Sequence, residues 1–209
     1  MHKSRTSKDK RLHVAYHEAG HAVALFLLGE IFHSISLQSD GNSMGRVLYQ
    51  PFESLVFMKP ADPLDPPVLA RSVDGFTKCC ANRDIFITLA GCAAEAKYLG
   101  RAKWFSDFMK YTSSYSDITS AYSFAKMVTS SPDEADAFVS RVAKWADKLF
   151  TYPCVWQVTT KLAEALPPGG TMMGEQAVQV IGANWHHQAF PPLTRLGDTW
   201  STRFFYRSR

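Results

Sequence analysis

The chain has 209 residues, of which 46% are hydrophobic and 20% charged, the composition of a globular protein with one substantial core rather than of a fibrous or disordered one. Its net charge of +4 gathers at the two ends, in Lys3, Arg5, Lys8, Lys10 and Arg11 and again in Arg203, Arg207 and Arg209, and basic ends alone do not make a nucleic-acid surface. Four cysteines without CxxC spacing and no apolar run near the roughly 20 residues of a bilayer span exclude a disulfide framework and a membrane helix, so a cytoplasmic protein is expected.

Residues 1–11 read as a basic tail. From Leu12 a helical stripe begins, with Leu12, Tyr16, Ala19, Val23, Phe26 and Leu27 recurring at steps of three and four, and Gly29 ends it. His17 and His21 lie four apart on an adjacent strip of this helix, with Glu18 between them, in the pattern HExxH. Two imidazoles on one helix face can hold a single Zn²⁺ ion, which brings bound water to a pKa of about 7, and Glu18 stands where a carboxylate takes the water's proton. Gly20, between the histidines, lets another backbone approach closely.

Residues 33–38 alternate apolar and polar, Asp40-Gly41-Asn42 carries turn chemistry, and 46–49 alternate again, which predicts a hairpin whose edge could pair with an extended substrate backbone. Residues 51–82 contain Pro51, Pro60, Pro63, Pro66 and Pro67 and read as a long loop or lid. Its vicinal Cys79-Cys80 lacks partners at metal-ligand spacing. A helix is expected over 84–99, with Glu95 at the edge of its stripe, and another from Ser116, with Asp117 in the first turn where the helix dipole keeps a carboxylate ionised. Ser131-Pro132-Asp133-Glu134 starts a third, running to about Phe150 and burying Phe138, Val142, Trp145 and Leu149. Pro153 opens a fourth, through Leu166, which should form a hairpin with the third. A short helix follows Pro167-Pro168-Gly169-Gly170, over 174–181. Beyond that, 183–209 form an aromatic and basic tail, in which the adjacent His186-His187 diverge too much to make a second metal site.

Four blocks resemble the peptidase domain of the FtsH family, the AAA+ zinc proteases of bacteria and organelles: 15–22 (AYHEAGHA), 35–47, 89–100 (LAGCAAEAKYLG) and 114–128 (SYSDITSAYSFAKMV). A weaker fifth lies in 162–180, with LAEAL and GEQAV. The resemblance implies a mainly α fold over 12–182, with a zincin-type HExxH helix, a small β-hairpin or sheet and a C-terminal helical bundle. It also implies a zinc metalloendopeptidase with His17, His21 and Asp117 as metal ligands and Glu18 as catalytic carboxylate. Glu95 is the rival third ligand, since many HExxH enzymes take a glutamate from a following helix.

The chain departs from that family in lacking any GxxxxGK[ST] loop, in the length of 51–82, in Ser116 where asparagine is common, and in its aromatic end. The expected activity is ATP-independent hydrolysis of peptides or unfolded protein, with a separate AAA+ ATPase as a candidate partner. The competing expectation is a peptidase-like module that grips extended chains, or docks on an ATPase, with little turnover.

Overall fold

Gly20 and Gly91 decide how the two longest helices meet. The computed structural model describes residues 7–39, 45–49, 75–106 and 115–185, beginning with α1 (Ser7–Leu27), β1 (Phe32–Ser36), β2 (Arg46–Tyr49) and α2 (Gly75–Tyr98). A Cβ on Gly20 would stand 2.7 Å from the Ala90 carbonyl oxygen and 3.0 Å from Gly91 Cα. The helices therefore cross with backbones in contact, as the missing side chain at Gly20 permits. Around this crossing Ala19, Ala22, Val23, Leu25, Leu89, Ala90 and Ala93 are almost wholly buried.

The remaining elements enclose that pair: α3 (Tyr115–Val128), α4 (Pro132–Thr151), α5 (Pro153–Ala165), β3 (Thr171–Met173) and α6 (Gly174–Asn184). The fold is mainly helical, with one three-stranded antiparallel sheet in the order β2-β1-β3. Ile35 sits opposite Val47 on one side and Met172 on the other. The register of β1 with β2 shifts between Phe32 and Ser34, so Phe32 and Ile35, three apart, both reach the core. No helix among the described residues is long and apolar enough to cross a membrane.

Several sequence expectations are corrected. Helix α1 begins at Ser7, inside the expected tail, because Lys8, Lys10 and Arg11 are good helix formers and no glycine or proline interrupts them. Helix α2 begins at Gly75, inside the expected loop, since the helix-breaking prolines end at Pro67; residues 50–74, like 40–44 where a turn is expected, lie outside the described residues. Helix α6 runs on to Asn184, and Trp185 meets Phe26 edge to face at 6.1 Å, so residues 183–185, inside the expected tail, belong to the packed fold; 186–209, with His186-His187, lie outside the described residues. The expected hairpin of α4 and α5 is instead a bend at the single residue Tyr152, with α4 packed mainly on α2 and α5 mainly on α1. The buried face of α4 is Ala135, Val139, Val142, Ala143, Ala146, Leu149 and Phe150. Phe138 and Trp145 stand at its rim, half-buried beneath the Arg141 guanidinium.

On another face of α1, Tyr16 stacks on Tyr98 of α2, with centroids 4.2 Å apart, and on Trp156 of α5 at 5.2 Å. Lys97 Nζ lies 4.6 Å from the centre of the Trp156 ring.

Candidate metal centre

One face of α1 carries His13, His17 and His21, each a turn above the last, and α2 supports them from behind. Glu95 is buried, with one carboxylate oxygen 3.0 Å from His13 Nδ1 and the other 3.0 Å from His17 Nδ1. His21 Nδ1 donates to the Ile87 carbonyl at 2.8 Å. The His21 ring lies against Gly91 so closely that a Cβ there would be 2.3 Å from Nε2. With both Nδ1 atoms engaged behind, both Nε2 atoms turn forward to Asp117 in the first turn of α3: His17 Nε2 is 2.8 Å and His21 Nε2 3.7 Å from Asp117 Oδ2.

Because the Ile87 carbonyl can only accept, the proton of a neutral His21 sits on Nδ1, and its Nε2 lone pair faces a carboxylate oxygen. A cation between or beside two facing lone pairs relieves their repulsion. Without a metal, a proton on His17 supplies that charge: burial works against it, but hydrogen bonds to Asp117 and then Glu95 prevail and raise the His17 pKa well above its ordinary 6.5. Burial likewise opposes ionisation of Asp117, and the hydrogen bonds and charges of His17 and His21 override it, holding this carboxyl well below the usual carboxylate range. Glu18 is shifted the other way, upward, by burial against the pull of His17 and His21.

Imidazole nitrogens and a carboxylate oxygen are donor types that zinc accepts. Tetrahedral bonds of about 2.0 Å place nitrogen and oxygen ligands about 3.3 Å apart, and the distances of 2.8 and 3.7 Å lie on either side of that figure. Ligand atoms of His17, Cys92 and Asp117 all lie within 4.8 Å of one another, a group that does not include His21. Glu18 lines the approach, next to Gly45 at the start of the edge strand β2, where a Cβ would come within 2.6 Å of Glu18 Oε1. The bare backbone of Gly45 thus leaves the carboxylate its space.

The structure brings His17, His21 and Asp117 together, with Glu18 beside them, and places Glu95 behind His17 rather than in front. Sequence reasoning missed His13, although the spacing of His13, His17 and His21 was there to be read. It missed Cys92, which is three residues before Glu95 and so on the same side of α2. Further along α2, Arg83 bridges Glu30 at 2.5 Å and Asp84 at 3.1 Å. A cavity of about 340 Å³ lined by Lys78, Val128, Phe138 and Arg141 opens at the opposite end of α3 from Asp117. Compared with known protein families and with curated proteins, the chain gives no match.

Proposed function

We propose that the chain is a zinc-dependent endopeptidase acting on peptides and unfolded protein segments, with His17, His21 and Asp117 holding the ion. The observation that carries this is the engagement of both Nδ1 atoms, by Glu95 and the Ile87 carbonyl, which leaves two Nε2 atoms directed at Asp117 Oδ2. The pattern HExxH and the FtsH-like blocks of sequence point the same way. A zinc ion in this position would acidify water to a pKa of about 7 and polarise a peptide carbonyl.

Glu18 then accepts the water's proton on its carboxylate and passes it to the departing amine, a task suited to a carboxyl whose pKa burial has raised. Glu95 orients His17 and keeps its Nε2 forward. The edge strand β2, which starts beside Glu18, offers backbone groups to an extended substrate, and this favours chains without fixed structure. Folded domains, stable by about 5 to 15 kcal/mol, expose such segments rarely, so a separate ATPase would have to unfold them. Four buried cysteines, none of them in a disulfide, suit a reducing cytoplasm.

The test is metal analysis of the purified chain joined to digestion of an unfolded protein with and without ATP. About one zinc per chain is expected from three ligands and an open position, lost in His17→Ala and Asp117→Ala. Glu18→Gln should retain zinc and lose about 10²–10⁴-fold in hydrolysis, and ATP should change nothing. A folded chain without zinc would overturn the reading, and zinc binding without turnover would reduce it to a peptide-gripping module.

A further inference from the structure

The zinc reading uses three donors and leaves a fourth unassigned. Cys92 Sγ lies 3.8 Å from Asp117 Oδ2, and its ligand atom forms with those of His17 and Asp117 a group all within 4.8 Å of one another, with His21 reaching the same Asp117 oxygen at 3.7 Å from outside that group. Around a tetrahedral zinc ion, a sulfur at about 2.3 Å and an oxygen at about 2.0 Å stand about 3.5 Å from each other. The observed separation is close to that without any movement of backbone. Helix α2 fixes the sulfur there: Cys92 is next to Gly91, on which His21 rests, and three residues before Glu95, which holds His17. Cys92 is buried, at 1% exposure, and its thiol also approaches the Thr88 carbonyl one turn back, at 3.8 Å.

A buried cysteine alone is more often inert. Here the sulfur does not stand alone: its neighbour Asp117 Oδ2 is also approached by His17 Nε2 at 2.8 Å and His21 Nε2 at 3.7 Å, so donors from three helices converge on one point. We propose that Cys92 is the fourth ligand of the ion held by His17, His21 and Asp117, so that the centre rests closed and the sulfur occupies the position that hydrolysis needs for water. The inference stands on the zinc reading and adds regulation to it. Catalytic zinc sites keep one position open, whereas four protein ligands make a closed site. Loss of the sulfur therefore opens the centre while its other three ligands remain.

Cobalt(II) replaces zinc in the test. Thiolate bound to cobalt absorbs in the near ultraviolet by charge transfer, which nitrogen and oxygen ligands do not produce there, and visible bands report a tetrahedral ion whatever its ligands. The wild-type chain should show both. Cys92→Ala should keep the visible bands, lose the near-ultraviolet band and hydrolyse an unfolded peptide severalfold faster with zinc. Visible bands without the ultraviolet band in wild type would overturn the inference and leave the zinc reading standing; no cobalt bound by the folded chain would overturn both. A wild-type ultraviolet band with no gain of hydrolysis in Cys92→Ala would overturn the closure. Should that variant fail to fold, X-ray absorption of the zinc-loaded wild type decides, through a sulfur shell at about 2.3 Å or only lighter atoms at about 2.0 Å.

Discussion

Helices α2 and α4 have similar lengths, 24 and 20 residues, and opposite constructions. Helix α4 obeys local rules: the Ser131 hydroxyl accepts from the Glu134 amide, Pro132 occupies its first turn, and one stripe is buried while the rest faces water. Helix α2 is buried on nearly every side from Thr77 to Ala96, and that interior includes Asn82, Arg83, Asp84, Thr88 and Glu95. Local rules cannot explain such a helix, because Glu95 and Arg83 in it depend on partners from distant parts of the chain. Glu95 finds two, in His13 and His17. Asp84 finds Arg83 for one oxygen, while its other oxygen and Asn82 Oδ1 have no hydrogen-bond partner among the described residues, an arrangement that costs about 1–3 kcal/mol per group. A helix of the first kind carries stability, and one of the second kind backs the candidate metal centre.

The contrast is broken most severely at Gly91. A methyl group there would meet the His21 ring at 2.3 Å, so Gly91→Ala should destabilise the chain by about 1–3 kcal/mol through overpacking and lower its zinc content together with its melting temperature. A variant with normal stability and full zinc would show that α2 does not seat His21. Next in size is Glu95→Gln, which presents an amide nitrogen where one of two histidines now finds an oxygen. Zinc affinity should fall about 10–100-fold, measured by competition with a chelator, with a smaller change in unfolding midpoint. Affinity unchanged would make Glu95 a packing residue only. Ser131→Ala is the smallest: loss of the α4 cap should cost about 1 kcal/mol in denaturant unfolding and leave zinc affinity as it was. Any change in that affinity would mean that the two helices are not separable in this way.

The same division decides what could be read from sequence. The start of α4 was legible because Ser131, Pro132 and Glu134 are signals that act over one turn, and α3 was legible from a single apolar stripe. The face of α4 was read correctly at Val142 and Leu149 and misread at Phe138 and Trp145, two of its largest apolar residues, because the crossing with α2 takes mainly alanine and valine. Strand β3 escaped notice: three residues are too few to show alternation, and their partner, β1, lies far away in the chain. At the site, spacing along one helix exposed His17, Glu18 and His21, and position at a helix start singled out Asp117. Whether Glu95 or Asp117 faces the histidines depends on how α1 and α2 cross, which periodicity does not encode. Cys92 reads in sequence as one more small apolar residue in a buried stripe, and only the approach of α3 gives it a neighbour with charge.

The aromatic stack on α1 acts as a lock on an axle. Tyr16 is gripped on both ring faces, by Tyr98 at 4.2 Å and Trp156 at 5.2 Å, so α1 cannot roll about its own axis without unstacking two rings. Side-chain tips lie about 5–6 Å from a helix axis, and a roll of about 10° would therefore carry a histidine nitrogen roughly 1 Å sideways. Metal-ligand distances tolerate about 0.2 Å. The machining tolerance of the candidate metal centre is thus set in part by Tyr98 and Trp156, whose rings bear on an adjoining side of the shaft that carries the histidines.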